Sequence, residues 1–412
     1  MLKSLCAEQH DPLPVSKLAF RRHAPFEPIL VLGDFMLRTI ATFVLGLALA
    51  ASAAAQTSTN PVVEHFRAYR AALAQGDLAA ADSAATAALA ASEAQDGDGG
   101  RTAILALNLA SLRLERGDRA GALQPAQRAH ELATTRSHAN VDTGAARLVL
   151  ARAESVNGQS REALRATIVE LAGNAALATE IFAAASDLGQ QDLNEPRIVD
   201  ATRSAEAFGI AAQAAQTSPG EVNIDRARAL IAQARALLYV SARRQRQTLM
   251  PSDEQAHALL HEAVDILRPL DVRTPRQPIS EGTRLSANAL AWHAALNARL
   301  GSLDARRPWH DERPLLSVAQ NICPHTGAVG PMPAFPFAAE RGFRVGAVVI
   351  ALHVNDEGEI VHRDVIAAAP GRQEFQQGVG RAFDTWQIRW SETAPTGCER
   401  AHVMILPITF MR

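Results

Sequence analysis

The stretch "RGDRAGALQPAQRAHEL", residues 116–132, decides how most of the chain folds. Its outline occurs once before and once after, as "QGDLAAADSAATAALA" at 75–90 and "NGQSREALRATIVEL" at 157–171. Gly76, Gly117 and Gly158 stand 41 residues apart, and Ala81, Ala122 and Ala163 keep the same step. A fixed period of this length marks a solenoid, in which one supersecondary unit stacks on copies of itself. Each glycine reads as the end of one helix and the start of a short turn, because a residue without Cβ enters the left-handed conformation freely. The alanine that follows is small enough for two antiparallel helices to approach closely. The next helix carries an apolar stripe at helical spacing: Ala81, Ala85, Ala88 and Leu89, then Ala122, Ala126, Ala129 and Leu132.

These units resemble tetratricopeptide repeats, in which a Gly-Asp turn precedes a helix bearing small residues. The likeness rests on Gly76-Asp77, Gly117-Asp118 and, with glutamine in the second place, Gly158-Gln159. The period exceeds the family's usual unit of about 34 residues, and the family's first-helix aromatic residues are missing. The resemblance implies an all-α docking scaffold and leaves its ligand groove unspecified. Beyond residue 172 the register blurs, yet "NIDRARALIAQARALL" (223–238) and "SDEQAHALLHEAVDIL" (252–267) keep one apolar face each. "RLSANALAWHAALNARLG" (284–301) reads as a closing helix ended by Gly301. A TPR-like helical repeat domain is therefore expected over residues 56–302.

Before the repeats, "MLRTIATFVLGLALAASAAAQ" (36–56) has a basic start, an apolar core and an A-x-A site. That pattern predicts a signal peptide over 36–55, cleaved between Ala55 and Gln56. Its apolar core falls short of the roughly 20 residues that span a bilayer; retention as an anchor is the alternative. Residues 1–35 read as a misassigned start or an unstructured leader. The whole chain has 412 residues, is 48% hydrophobic and carries a formal charge of -2. Such a balance supplies no electrostatic footprint for nucleic acid. Of three cysteines, Cys6 precedes the signal peptide, so the exported chain keeps Cys323 and Cys398. In an oxidising compartment two thiols predict one disulfide, with two buried free thiols as the alternative.

Several fragments imitate chemistry. His257 and His261 lie four apart on one helical face, a metal-ligand spacing, but no third ligand is visible nearby, and no metal is expected. "HRD" at 362–364 has no glycine-rich phosphate loop or DFG beside it. With no nucleophile elbow and no P-loop lysine either, the reading is a non-enzyme without catalytic residues or cofactor.

Residues 303–334, rich in proline and charge, read as a linker. The last segment, 335–412, differs in kind. "FRVGAVVIALHVNDEGEIVHRDVI" (343–366) offers two β-rich runs around the turn Asn355-Asp356-Glu357-Gly358. "RQEFQQGVGRAFDTW" (372–386) places Phe375, Val379, Ala382, Phe383 and Trp386 on one helical face, and "AHVMILPITF" (401–410) closes as a strand. Pro407 has no N–H, so that strand is expected at an edge or with its pairing interrupted. The order β-β-α-β predicts a small α+β domain with one helix over a sheet, and hence a multidomain chain.

This segment resembles the C-terminal domain of the TonB family. The matching residues are Phe335-Pro336, Ala339, Gly342, Gly346-Ala347-Val348, Val354 to Gly358, Phe375, Trp386 and Pro407-Ile408-Thr409-Phe410. It departs from the family at Ala368-Ala369-Pro370, at Arg389-Trp390 and in the loop "SETAPTGCERA". The resemblance implies capture of an extended peptide from outer-membrane transport proteins by strand addition, with Val403, Met404, Ile405 and Ile408 on the peptide-binding edge. It implies a periplasmic, protein-binding role in a Gram-negative-type envelope, with TonB-dependent receptors as partners and no small-molecule substrate. The alternatives are a general envelope scaffold unrelated to uptake, or a membrane-anchored energy transducer if residues 36–55 stay in place.

Overall fold

A computed structural model describes residues 60–135, 141–194, 198–215, 222–243, 250–270, 279–303, 322–331, 345–369, 379 and 382–411. The chain is mostly helical with a small C-terminal sheet region. The expected signal peptide, with Ala55 and Gln56, lies outside the described residues, as do Phe335-Pro336, Ala339, Gly342 and Phe375. No described helix is long and apolar enough to cross a membrane.

The chain divides into two compact units at Ala88–Leu89. The described part of the first holds α1 (Pro61–Ala74) and the start of α2 (Leu78–Asp96). Asn60 and Pro61 set where α1 begins: the Asn60 side chain accepts from Val62 N–H at 3.0 Å, and proline gives up only a donor the first turn leaves unused. The helix ends as the sequence implies. Gly76 adopts φ +71°, its N–H donates to Leu73 O, and Asp77 N–H donates to Ala72 O, a Schellman closure. Asp77 then caps α2 by accepting from Ala80 N–H at 2.9 Å.

The same device recurs in the second unit between α3 (Gly100–Glu115) and α4 (Arg119–Thr135). Gly117 has φ +77°, Asp118 N–H reaches Arg113 O, and the Asp118 carboxylate accepts from Gly121 N–H. The third copy differs from expectation. Gly158 is not a turn glycine; it is the first residue of α6 (Gly158–Leu171), which follows α5 (Thr143–Glu154). Here α5 ends at Ser155 without a left-handed residue, and Asn157 caps α6 in a reciprocal box with Ser160. The asparagine cap moved the helix start back onto the glycine.

Further helices follow as α7 (Ala178–Leu193), α8 (Ile198–Ala214), α9 (Ile224–Arg243), α10 (Pro251–Leu267) and α11 (Glu281–Leu303). The last runs through Gly301, where the sequence pattern predicts its stop. From α3 onward each helix packs on its sequence neighbours, and α3 also touches α5, α5 touches α7 and α9 touches α11. The contact faces are built of small residues, with Ala122, Ala126, Ala129, Ala184, Ala185, Ala227 and Ala234 fully buried. At Gly189 the approach is tight, since an added Cβ would lie 3.0 Å from the Phe208 ring. A partly buried ionic group crosses this stack: Arg152 on α5, itself buried, faces Glu115 on α3 at 3.5 Å and Asp187 on α7 at 3.6 Å, and Arg119 on α4 reaches Asp187 at 2.5 Å. Burial pushes the Glu115 carboxyl above its ordinary range in spite of the Arg152 charge, so desolvation outweighs attraction there.

The C-terminal strands are β1 (His325–Val329), β2 (Val345–Val354), β3 (Ile360–Ala369), β4 (Gln387–Trp390) and β5 (His402–Met411). They form an antiparallel pair β1–β4 and a three-stranded antiparallel sheet in the order β3-β2-β5. The expected linker 303–334 is thus corrected in part, because residues 325–329 belong to a strand and Ile322 bridges Glu399. A short strand with Gly327 inside it and prolines on both flanks carries no alternation to betray it. Of the helix expected at 372–386, the described residues hold Val379, in helical conformation, and a 3-10 turn, Ala382–Thr385.

The domain border expected between 302 and 335 does not separate compact units, since α11 lies against β2, β3 and β5. Side chains alternate across β2. Val348, Ile350 and Leu352 join Val379, Phe383, Ile408 and Phe410 in one core, while Ala347, Val349 and Ala351 are equally buried on the opposite face. Both faces of the central strand are therefore covered, where one helix over one face had been expected.

Candidate functional site

Two places in the second unit bring chemistry-bearing groups together, and α11 touches both. The first is the outer edge of the sheet. The β2–β3 hairpin turns at Asn355–Gly358, where Gly358 N–H donates to Asn355 O at 3.1 Å and φ is +88°. A Cβ on Gly358 would fall 2.2 Å from Ile388 O, so both conformation and space demand glycine. β2 fills the middle of the sheet, leaving β3 and β5 as its outer strands. β4 begins to cover the β3 side through the Glu359–Gln387 bridge and the Ile388 N–H to Gly358 O bond. Among the described residues, no strand pairs with the outer side of β5.

β5 pairs with β2 over ten residues without a register shift, from Val345–Met411 to Val354–His402. Pro407 sits within that ladder opposite Val349. An unbroken ladder through a residue with no donor places its nitrogen on the side away from β2, the edge position open to proline. By alternation, Val403 and Ile405 turn their N–H groups to the same outer side. Of the four expected edge residues, Met404 packs on the core with Ile408, which is buried, while half-buried Val403 and Ile405 stand on the opposite face. They are one strand seen from two faces, and what they share is the backbone edge.

Cys323 and Cys398 form a disulfide with Cα atoms 4.9 Å apart. It ties the segment ahead of β1 to the loop ahead of β5, reinforced by the bond from Cys323 N–H to Glu399 O. Beside it, burial holds the His402 imidazole below its usual range.

The second place corrects the reading of His257 and His261. Their missing companion is His293 on α11, and the three Nε2 atoms form a triangle with edges of 3.3, 3.2 and 3.0 Å. His257 and His261 come together because they lie one turn apart on α10. His293 reaches them because α11 packs on α10, its buried residues Leu285, Leu290 and Leu296 securing the helix on either side. The Asn297 amide lies 3.1 Å from His293 Nδ1, one turn farther along α11. Burial first, and then the neighbouring His257 and His261, lower the His293 pKa to about 3. His293 is buried, whereas His257 and His261 are half-exposed and line the solvent side.

Local spacing exposed the first two histidines and missed the third. The only available signal was a histidine inside the apolar run "NALAWHAAL", a polar residue set where the helix pattern calls for core. Comparison with known protein families and with curated proteins finds no family model and no relative that matches the chain.

Proposed function

We propose that this chain is a non-enzymatic protein-binding protein of the periplasm, which takes up an extended peptide as an added strand along the outer edge of β5. The single observation that carries the reading is that edge: ten residues in unbroken register on one side, with no described strand on the other. Main-chain pairing supplies affinity in such a mode, and side chains on alternating faces supply selectivity. The TonB-like sequence pattern of this segment names the class of partner, extended segments of outer-membrane transport proteins. The helical repeats then dock a second protein. Packing of α11 on the sheet favours a second version of the reading, a fixed envelope scaffold, over a module swinging on a tether.

The test uses protein purified from the periplasm, whose first residue also reports whether cleavage falls at Ala55–Gln56. Binding is measured by fluorescence anisotropy with peptides from the N-termini of outer-membrane receptors. Ile405→Pro removes an outward donor and should abolish binding, whereas Met404→Leu should leave it within about twofold. Circular dichroism checks that both stay folded. Wild-type protein that binds none of these peptides removes the transport reading and leaves the scaffold.

A further inference from the structure

We propose that His257, His261 and His293 form a zinc site that clamps α10 to α11. Three imidazole nitrogens bound to one tetrahedral ion at about 2.0–2.1 Å sit about 3.3–3.4 Å from one another. The observed edges of 3.0–3.3 Å already match that spacing closely, with small outward movements bringing them level. Hydrogen bonding alone accounts poorly for the triangle. Each ring nitrogen holds either one proton or one lone pair, so three Nε2 atoms around a common centre cannot satisfy all three contacts, and two protons pointing inward would collide. A cation at the centre satisfies all three lone pairs together.

The donor set favours zinc. Imidazole suits borderline divalent ions, and three histidines from two rigid helices fix a facial triangle with the fourth position free for water. His293 is the buried member of the three, held in place by the helix packing around it. Asn297 Nδ2 faces His293 Nδ1 at 3.1 Å, and on metal binding a half-turn of that amide would let its oxygen accept from Nδ1–H and hold the ring in the tautomer whose Nε2 ligates, the support metal-bound histidines ordinarily have. The half-exposed His257 and His261 leave an entry path from solvent.

The experiment uses the full exported chain, with no histidine tag, stripped by chelator and titrated with zinc chloride by calorimetry. One equivalent per chain should bind and raise the melting temperature. His257→Gln with His261→Gln, both at the half-exposed side, should weaken binding more than 100-fold, and Asn297→Leu should weaken it about 10–100-fold. Cobalt, loaded in place of zinc, should give the intense visible absorption of a tetrahedral site. The chain has 13 histidines, so adventitious surface binding is the rival outcome. Binding equally tight in the double variant, a weak octahedral cobalt spectrum, or no uptake by the stripped wild type would each overturn the site; none of these results bears on peptide binding at β5.

Discussion

Gly76, Gly117 and Gly158 occupy the same place in the repeat and do different things. The first two hold φ of +71° and +77° with open space where a Cβ would go, so Gly76→Ala and Gly117→Ala incur backbone strain alone, about 1–2 kcal/mol each. Gly158 begins a helix and also faces open space. Gly158→Ala should leave stability unchanged or raise it by up to about 1 kcal/mol, because alanine loses less chain freedom on folding. Urea denaturation of the three variants distinguishes the positions, and equal losses at all three would refute the assignment of Gly158 to a helix start. The contrast shows what one chain discloses about its residues. The period and the apolar stripe were legible because they repeat locally. The exchange of a left-handed glycine for an asparagine cap was not, since Asn157 fits turn and cap alike.

Elements were readable where their pattern was internal and obscure where it depended on a partner. The hairpin β2–β3 declared itself through two β-rich runs joined by the turn residues Asn355–Gly358. β1 did not, because only pairing with β4 makes residues 325–329 a strand. For the same reason His257 and His261, on one helix, are legible as a pair in the sequence, and His293, on the next, is not. The disulfide bears directly on β1. It closes 75 residues of chain, and constraining the unfolded state over such a loop contributes about 2–4 kcal/mol. Reduction should lower stability by that amount, and hydrogen exchange should locate the loss first at β1, β4 and the start of β5. Exchange that quickens evenly over α3–α8 instead would mean that the bond constrains something other than this corner.

At the scale of the whole second unit, α11 determines what can fold alone. Ala347, Val349 and Ala351 are fully buried on the sheet face opposite the Phe383 core, and burial of Val349 alone stabilises by about 1.5–3 kcal/mol. Arg284 on α11 and Asp364 on β3 add an ion pair at 3.4 Å, but both are half-exposed and contribute little. A fragment of residues 335–412 therefore lacks the cover for one face, the β1 partner of β4 and Cys323. It should bind a hydrophobic dye and show no cooperative melt, whereas residues 281–412 should melt cooperatively. A sharp transition in the shorter fragment would restore the independent domain that composition had suggested.

The neighbour-to-neighbour packing of the helices has a consequence for how this chain can vary over evolutionary time. Between α3 and α8 the helices pack chiefly on neighbours one or two places along the sequence, so duplication or loss of a helical pair changes the number of layers and leaves the more distant joints intact. α11 has no such latitude. It meets α10 on one side and three strands on the other, so a substitution on it must suit two surfaces at once. Descendants of this chain should differ most in repeat number and least in the small buried residues of that final helix, Ala287, Ala289 and Ala291.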